Sequence, residues 1–382
     1  MAQRAPAKKR RHPYHRRNRK AQNRGNGPVL GAIDVGTNAC RLLVAVPQHG
    51  NGVAMPQVID SYTASVRLGE GLESQGIITE AALNRTIKAL KICSDRLKRN
   101  GVTHVRAIAT ETCRRAKNAD ALITRARAET GIELVVISPE EEAHLAAEGC
   151  LPLIGEDFEG ALIFDIGGGS TELILVCANP NRHSSEDAPP FEIAAWASVP
   201  IGVVRLAERF GGHNLPASAF APMRQMVRDA LDDVREKLGA NRFDPYNFHL
   251  LGTSGTLTTI AGIKLGLQRY VRSRIDGQWL VRGEVLRITE RVVREDFGGR
   301  AEIPCIGKDR ADLVLPGCAI LSAIMEDWPT QHLRVADRGL REGLLLGLLK
   351  EAGEEQTSSQ GPSVKLKGPT RAPRETLSVE GG

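Results

Sequence analysis

Two stretches of the sequence determine the fold: Ile33-Asp34-Val35-Gly36-Thr37-Asn38 and Phe164-Asp165-Ile166-Gly167-Gly168-Gly169-Ser170-Thr171. When Asp34 is aligned with Asp165, the two stretches superimpose without a gap, and each is followed by a second apolar run. An apolar run, a turn of small residues and another apolar run predict a strand, a tight turn and a returning strand. Two copies of this pattern predict a duplicated domain.

The remaining sequence predicts strands that alternate with helices. A third loop of small residues, Gly252-Thr253-Ser254-Gly255-Thr256, follows an apolar run and precedes a helical pattern. Strands interleaved with helices predict α/β layers. Strands are predicted at 29–35, 40–46, 57–62, 104–109, 133–137, 161–166, 171–177, 191–198, 248–252 and 333–336, and helices at 79–99, 118–130, 140–149, 216–238, 257–265, 283–295, 311–326 and 339–350.

The composition is that of a globular protein with reduced cysteines. The chain has 382 residues, of which 41% are hydrophobic and 25% charged, enough for two or three domains. No run is long enough to span a membrane, and the N-terminus has no apolar signal core, so we expect a cytoplasmic protein. The seven cysteines form no Cys-x-x-Cys pair, which argues against a structural zinc site.

The positive net charge belongs to the N-terminus. Residues 1–24 hold ten Lys or Arg and no acidic residue, so the remaining chain carries 41 basic against 45 acidic residues. Such a tail cannot bury enough apolar surface to fold alone. It is either a contact for a polyanion such as nucleic acid or polyphosphate, or a solvated extension. The C-terminal residues from Glu351 are also predicted to be disordered.

The three small-residue turns predict a phosphate site. Glycine allows backbone N–H groups to approach an anion closely, and hydroxyl groups can add donors. A single such turn is more often an ordinary hairpin, but three turns, two of them duplicated, favour anion binding. The turns are neither a Walker A loop nor a Rossmann loop, because no Gly-Lys-Ser/Thr follows and the second turn leads into a strand. The predicted hydroxyl donors are Thr37, Ser170, Thr171, Thr253 and Ser254.

Carboxylates beside these turns predict a cation. Asp34 and Asp165 follow predicted strands, and Glu172 lies on the strand that returns from the second turn. A carboxylate beside a phosphate repels it unless a cation lies between them, and Mg²⁺ takes one or two carboxylates together with water and phosphate oxygens. The alternative is that each Asp only accepts hydrogen bonds from its own turn.

A helix that begins after Ser138 supplies a candidate base. Ser138 suits the N-cap and Pro139 the first helical position, and capping explains the first two of the three glutamates that follow. Glu142 is not needed for the cap and could deprotonate a water. Arg114 follows a predicted strand, where a guanidinium can bind phosphate oxygens or belong to a solvated charge cluster.

With these motifs in order, residues 29–350 resemble the exopolyphosphatase and guanosine pentaphosphate phosphohydrolase (Ppx/GppA) family. The resemblance also covers Ala109 to Asn118, Val199 to Leu206, Leu315 to Leu321 and Asp337 to Gly343. It implies the duplicated α/β fold of actin, Hsp70-type ATPases and sugar kinases, with two domains flanking a cleft. The sequence resembles the short members, without the additional C-terminal helical domains, and has His144 where the family commonly has Arg.

The resemblance also implies roles for individual residues. Glu142 matches the catalytic base, and Asp34, Asp165 and Glu172 match acids near Mg²⁺ and the attacking water. The expected domains are 28–139 with 336–350, and 140–335, between disordered tails at 1–27 and 351–382. Residues expected to bind substrate are Gly36, Thr37, Asn38, Arg41, Arg114, Gly167, Gly168, Gly169, Ser170, Thr171, Gly252, Thr253, Ser254 and Gly255.

The predicted function is hydrolysis of a terminal phosphoanhydride with release of orthophosphate. The substrate is inorganic polyphosphate or, as the alternative, the 5′ end of guanosine pentaphosphate in the stringent response. A kinase of the same fold and a non-catalytic sensor of phosphate or of the alarmone are the competing hypotheses. A homodimer and a contact between the basic tail and nucleic acid are further expectations, and no membrane association is expected.

Overall fold

The computed structural model describes residues 27–48, 56–155, 157–180, 189–239, 244, 246–308 and 310–359. Within these ranges the chain forms two β-sheets, each covered by helices. The predicted N-terminal tail lies outside the described residues except for Gly27, and so does the C-terminal part from residue 360. In the described part of the chain, no helix is both long and apolar enough to cross a membrane.

The first half of the chain builds a five-stranded sheet. Its strands are β1 (Leu30–Val35), β2 (Ala39–Val46), β3 (Gln57–Ser65), β4 (His104–Ala109) and β5 (Leu134–Val136). They lie in the order β3-β2-β1-β4-β5, with β1 antiparallel to β2 and parallel to β4. The helices of this half are α1 (Leu72–Gln75), α2 (Glu80–Asn100), α3 (Glu111–Arg115) and α4 (Ala119–Thr130).

The second half builds a six-stranded sheet, ordered β10-β11-β9-β6-β7-β8, from β6 (Gly160–Ile166), β7 (Thr171–Ala178), β8 (Phe191–Val199), β9 (Phe248–Thr253), β10 (Trp279–Val281) and β11 (His332–Ala336). Two single 3₁₀ turns cover Leu151–Leu153 and Ala217–Ala219. The helices are α5 (Pro139–Cys150), α6 (Val203–Arg209), α7 (Phe220–Lys237), α8 (Gly255–Lys264), α9 (Arg272–Ile275), α10 (Arg282–Arg294), α11 (Phe297–Glu302), α12 (Val314–Asp327) and α13 (Leu340–Ser359).

The two sheets share one plan. In each, the first hairpin strand is antiparallel to the second and parallel to a later strand: β1 with β2 and β4, and β6 with β7 and β9. The second hairpin strand is bulged against its outer neighbour after Val44 in one sheet and after Leu175 in the other. When Asp34 is aligned with Asp165, Val44 is aligned with Leu175, so the two bulges occupy equivalent positions. The predicted duplicated α/β fold of the actin type is therefore confirmed.

Two helices cross where the halves meet. Helix α5 packs on β7 and β8 of the second sheet, α13 packs on β1 and β4 of the first, and the helices contact each other. A Cβ on Gly149 would lie 2.1 Å from the carbonyl oxygen of Gly339, and a Cβ on Gly343 would lie 2.1 Å from that of Leu145. Only glycine allows such close backbones. The crossing fixes the start of α5, and with it Glu142, relative to the first sheet.

All ten predicted strands and all eight predicted helices are present, but the sequence missed the shortest elements. Strand β10 has three residues, and α1, α3, α6, α9 and α11 have four to seven, too few to show a period. One boundary was wrong. The sequence predicts disorder from Glu351, whereas α13 continues through Ser359.

Candidate active site

Two glycine loops, residues 36–38 and 167–169, face each other where the two halves of the chain meet. A Cβ on Gly168 would lie 2.8 Å from Thr37 Cβ and 3.3 Å from the backbone nitrogen of Asn38. Each loop is closed by the same bond, from Gly36 N–H to Ala39 O (3.0 Å) and from Gly167 N–H to Ser170 O (2.9 Å). The structure therefore brings the two predicted phosphate turns into direct contact.

Both loops turn their carbonyl groups into the protein. Val66 N–H donates to Asn38 O and Gly69 N–H to Thr37 O, each at 2.9 Å. At the start of α6, the N–H groups of residues 203 and 204 donate to the carbonyls of residues 167 and 168 at 3.0 and 2.8 Å. In a trans peptide the next N–H points away from the carbonyl. Among the described residues, nothing accepts from the N–H groups of Thr37, Asn38, Gly168 and Gly169.

The hydroxyl groups behave differently from the prediction. Four of the five that the sequence predicts as phosphate donors donate to protein acceptors instead. The pairs are Thr37 to Glu111, Ser170 to Glu172, Thr171 to Ile201 O, and Thr253 to Arg338 O. Ser254 Oγ accepts from Thr256 N–H at the start of α8, which leaves its own proton available. The backbone N–H groups, and not the hydroxyls, are the main donors that the loops offer to an anion.

The third loop contributes at its end and not at its beginning. Gly252 is inside β9, where a Cβ would lie 2.5 Å from the ring of Phe164, so close packing explains this glycine without a ligand. Gly255 begins α8, and a Cβ there would lie 3.7 Å from Arg310 Nη1. Within the described ranges Arg310 has no carboxylate partner. Burial lowers its pKa, and the charge of Arg41 lowers it further.

The carboxylates of the two hairpins occupy matching places with different partners. Asp34 lies opposite Arg41 in the first hairpin and forms an ion pair with it (Oδ2 to Nη1, 3.1 Å). Asp165 lies opposite Glu172 in the second hairpin, so two acids face each other. Burial raises the pKa of Asp165 to about 6, with a further increase from Asp34 that Arg41 opposes.

Glu172 is held more firmly than Asp165. Ser170 and Ser198 both donate to its Oε1, at 2.7 and 3.0 Å, and its side chain is almost fully buried. Burial and the charge of Asp165 raise the pKa of Glu172 to about 7, although the two serine bonds act in the opposite direction. A carboxylate pair of this kind stores a proton at neutral pH or attracts a cation.

These acids do not form a metal cage by themselves. In the part of the chain that the structure describes, no group of three or more His, Cys, Asp or Glu side chains could hold a metal ion. The positive charge of Arg41 already balances the negative charge of Asp34. Arg41 is therefore a simpler counter-ion for Asp34 than the predicted metal. The facing acids Asp165 and Glu172, with their raised pKa values, fit a divalent cation that takes its remaining ligands from water and phosphate.

Glu142 lies in the first turn of α5, which is capped as the sequence predicts. Ser138 Oγ accepts from Glu141 N–H at 3.0 Å, and the side chain of Glu141 pairs with Arg106. Glu142 instead points toward Arg114, whose Nη1 donates to Glu142 Oε2 at 2.8 Å and to Ile137 O at 3.0 Å. Among the residues that the structure describes, nothing accepts from the other terminal nitrogen of Arg114, which could bind an anion.

The surroundings of Glu142 favour the protonated carboxyl group. Its side chain is 12% exposed. Burial, followed by the charge of Glu172, raises its pKa well above the ordinary range, against the effect of Arg114. A raised pKa makes the carboxylate a stronger proton acceptor than an ordinary Glu. His144, the residue expected to stand where Arg is common, is exposed and donates from Nδ1 to Glu140 O at 2.8 Å.

Three residues of the site were missed by the sequence analysis. Gly202 supports the second loop, because a Cβ there would lie 2.4 Å from the carbonyl carbon of Gly168. Glu111 is a buried carboxylate between the loops, and Arg310 faces the third loop. Gly202 and Glu111 lie in stretches that carry the family resemblance, Val199 to Leu206 and Ala109 to Asn118, but no role was predicted for either residue. Arg310 lies outside these stretches. The contacts of all three depend on how the two halves come together.

Comparisons with known proteins identify the family of the chain. Residues 45–352 match the model of the Ppx/GppA phosphatase family. A Haemophilus influenzae protein named "Putative exopolyphosphatase" is 28% identical over 334 residues, covering 86% of this chain and 94% of the relative. A Fusobacterium nucleatum protein named as a bifunctional 3-dehydroquinate synthase/phosphatase is 27% identical over 84% of this chain, and the match spans 46% of that longer protein.

Solved structures have the same fold. An exopolyphosphatase from Cytophaga hutchinsonii superimposes with a TM-score of 0.73 at 28% identity, over 85% of this chain and 98% of that one. The Aquifex aeolicus member of the Ppx/GppA family superimposes with a TM-score of 0.67 at 26% identity, over the same shares of the two chains. The family model covers most of the sequence, and the chain therefore belongs to the Ppx/GppA phosphatase family.

Proposed function

We propose that this phosphatase-family chain hydrolyses the terminal phosphoanhydride of inorganic polyphosphate and releases orthophosphate. The observation that carries the proposal is the pair of facing loops, with four N–H groups that have no acceptor among the described residues. Three of them, those of Asn38, Gly168 and Gly169, follow carbonyls that are bound by the protein. Such N–H groups can spread the charge of a phosphoryl group. The relatives named as exopolyphosphatases support polyphosphate as the substrate class.

The cations around the loops suit a substrate with several phosphates. The charge of Arg41 lowers the pKa of Arg310, and Arg114 Nη2 has no hydrogen-bond partner among the described residues. Like charges held together are stabilised by an anion between them. The terminal phosphoryl group would occupy the loops, and the next phosphates would lie toward Arg41 and Arg310.

Glu142 is the residue that we assign as the general base. Its carboxylate would take a proton from a water that attacks the terminal phosphorus in line with the leaving oxygen. The attack forms a P–O bond to the water and breaks the anhydride P–O bond, so that the shortened chain leaves as a phosphate. Arg114 holds the Glu142 carboxylate in place and can bind the transferred group. Phosphoryl transfer needs mainly such positioning and charge stabilisation.

Asp165 and Glu172 are the residues that we propose to hold Mg²⁺, with Asp34 nearby but paired with Arg41. When bound, the ion would neutralise negative charge on phosphate oxygens. Ser170 and Ser198 would keep Glu172 Oε1 oriented, so that its second oxygen faces the site.

One assay tests the proposal. Phosphate release is measured from short polyphosphate, long polyphosphate and guanosine pentaphosphate, each with and without Mg²⁺. We expect release from polyphosphate that depends on the metal. Faster phosphate release from guanosine pentaphosphate than from polyphosphate would identify guanosine pentaphosphate as the preferred substrate. Tight binding of both compounds with no release from either would contradict the enzyme and favour a sensor.

A further inference from the structure

Glu111 is a buried carboxylate that the proposed reaction does not use. It is the first residue of α3, is 6% exposed, and lies where the two glycine loops meet. A Cβ on Gly169 would lie 2.0 Å from Glu111 Oε2, so the carboxylate touches the backbone of the second loop. A negative charge at a phosphate loop opposes phosphate binding. Its presence at this junction therefore needs a different explanation.

Glu111 determines what the hydroxyl of Thr37 can do. Thr37 Oγ1 donates to Glu111 Oε2 at 3.3 Å, because a carboxylate can only accept. Thr112 Oγ1 then donates to Thr37 Oγ1 at 2.9 Å. The single hydroxyl proton of Thr37 is thus committed to the protein. The side chain also fills the space beside the loop, since a Cβ on Gly69 would lie 2.4 Å from Thr37 Cγ2.

The charge of Glu111 is balanced by a chain of ion pairs that reaches the other half of the protein. Arg115 Nη1 lies 2.9 Å from Glu111 Oε1, and Arg115 Nη2 lies 2.8 Å from Glu73 Oε2. Glu73 also pairs with Arg205 at 3.1 Å and Arg209 at 3.2 Å. Both arginines belong to α6, the helix whose first N–H groups hold the second loop. The carboxylate is therefore tied to the supports of both loops.

We propose that Glu111 is a positioning residue that acts through Thr37. It holds the Thr37 side chain against the second loop and so sets the spacing between the two groups of backbone N–H donors. The inference rests on the proposed function, because that spacing matters only if a phosphoryl group lies between the loops. The ion pair with Arg115 balances the charge of Glu111 and so reduces its repulsion of a bound phosphate. The hydrogen bond from Thr37 to Glu111 fixes the position of the Thr37 side chain.

A double-mutant cycle of Glu111→Gln and Thr37→Val tests the proposal. Two quantities are measured: kcat/KM for phosphate release from tripolyphosphate, and the equilibrium affinity for tripolyphosphate. A shift of about 1 Å at a reacting centre can cost about a hundredfold in rate. We expect each single variant to lose about ten- to a hundredfold in kcat/KM, and the double variant to be no worse than the poorer single variant.

Two controls accompany the cycle. Glu129→Gln removes a carboxylate from surface ion pairs with Lys91 and Arg125 and should leave turnover unchanged. Thr37→Ser keeps the hydroxyl donor and should retain most of the activity. Urea unfolding of every variant confirms that it is folded, and Thr37→Ser provides the rescue if Thr37→Val does not fold.

The outcomes separate this inference from the proposed function. The positioning role would be overturned if the losses of kcat/KM in the two single variants added in the double variant. It would also be overturned if Glu111→Gln lowered kcat/KM while Thr37→Val left it unchanged. If the wild type binds tripolyphosphate but releases no phosphate, the proposed function fails. The positioning role is then tested by whether the losses of tripolyphosphate affinity in the two single variants add in the double variant. If the wild type neither binds nor hydrolyses tripolyphosphate, both proposals fail.

Discussion

Gly202→Ala is the substitution whose effect follows most directly from the geometry. The new Cβ would lie 2.4 Å from the carbonyl carbon of Gly168 and 2.5 Å from the nitrogen of Gly169, whereas real Cβ contacts are essentially never below 3.0 Å. The second loop must therefore move by about 0.6 Å or more, and only backbone can move there. Overpacking of this kind costs about 1–3 kcal/mol of unfolding free energy.

The loss of activity should be larger than the loss of stability implies. The displaced loop carries half of the proposed N–H donors, and misplacement by about 1 Å can cost about a hundredfold in rate. We expect kcat to fall by about ten- to a hundredfold in a phosphate-release assay while urea unfolding remains cooperative.

Gly353→Ala is the matched control for this experiment. The same methyl group is added at an exposed position of α13 where nothing lies within 4 Å. It should raise the unfolding free energy by about 0.5–1 kcal/mol and leave turnover unchanged. If Gly202→Ala lowered stability but kept wild-type turnover, the second loop would not be positioned by the start of α6, and the reasoning would be refuted.

Three further predictions concern pH, metal and the tail. Burial lowers the pKa of His249 to about 4, and a His that is neutral in the fold loses stability as pH falls from its ordinary 6.5 toward 4. That loss should reach about 3 kcal/mol by pH 4, and His249→Phe should flatten the slope of unfolding free energy against pH; an unchanged slope would show that His249 does not titrate. Asp165→Asn should lower turnover and raise the Mg²⁺ concentration needed for half-maximal rate, and an unchanged metal titration would make Asp165 only a turn acceptor. Removal of residues 1–24 should leave turnover of tripolyphosphate within a few fold of wild type while weakening affinity for long polyphosphate in a salt-dependent manner. A large loss of tripolyphosphate turnover would show that the tail is needed for the reaction itself.

The sequence predicted the features that are local. Each hairpin is encoded within fewer than about twenty consecutive residues, 30–46 and 160–178, and its periodicity and small-residue turn give the strands, the duplication and the carboxylates at their ends. The cap of α5 is equally local, so Ser138 and the place of Glu142 could be predicted. These parts of the fold and the site depend on neighbours in the chain.

The features that the sequence could not give depend on contacts between distant residues. Thr37 and Glu111 are 74 positions apart, so composition suggested a free hydroxyl where the fold supplies an acceptor. Arg310 meets the third loop only after its own segment has packed beside α8. The ion pair between Asp34 and Arg41 was not predicted either, although it is local: the register of one hairpin places the two residues opposite each other.

The assignment of Glu142 as the base is the central claim, and single-turnover phosphate release from Glu142→Gln tests it most directly. The amide keeps the shape and can still accept from Arg114, but it cannot take a proton at neutral pH. General-base assistance contributes about a hundredfold to ten-thousandfold, so turnover should fall by that range while the affinity for tripolyphosphate survives. Glu140→Gln, an exposed neighbour on the same turn, is the control and should cost little. Near wild-type turnover of Glu142→Gln, or an equal fall in both variants, would contradict the assignment.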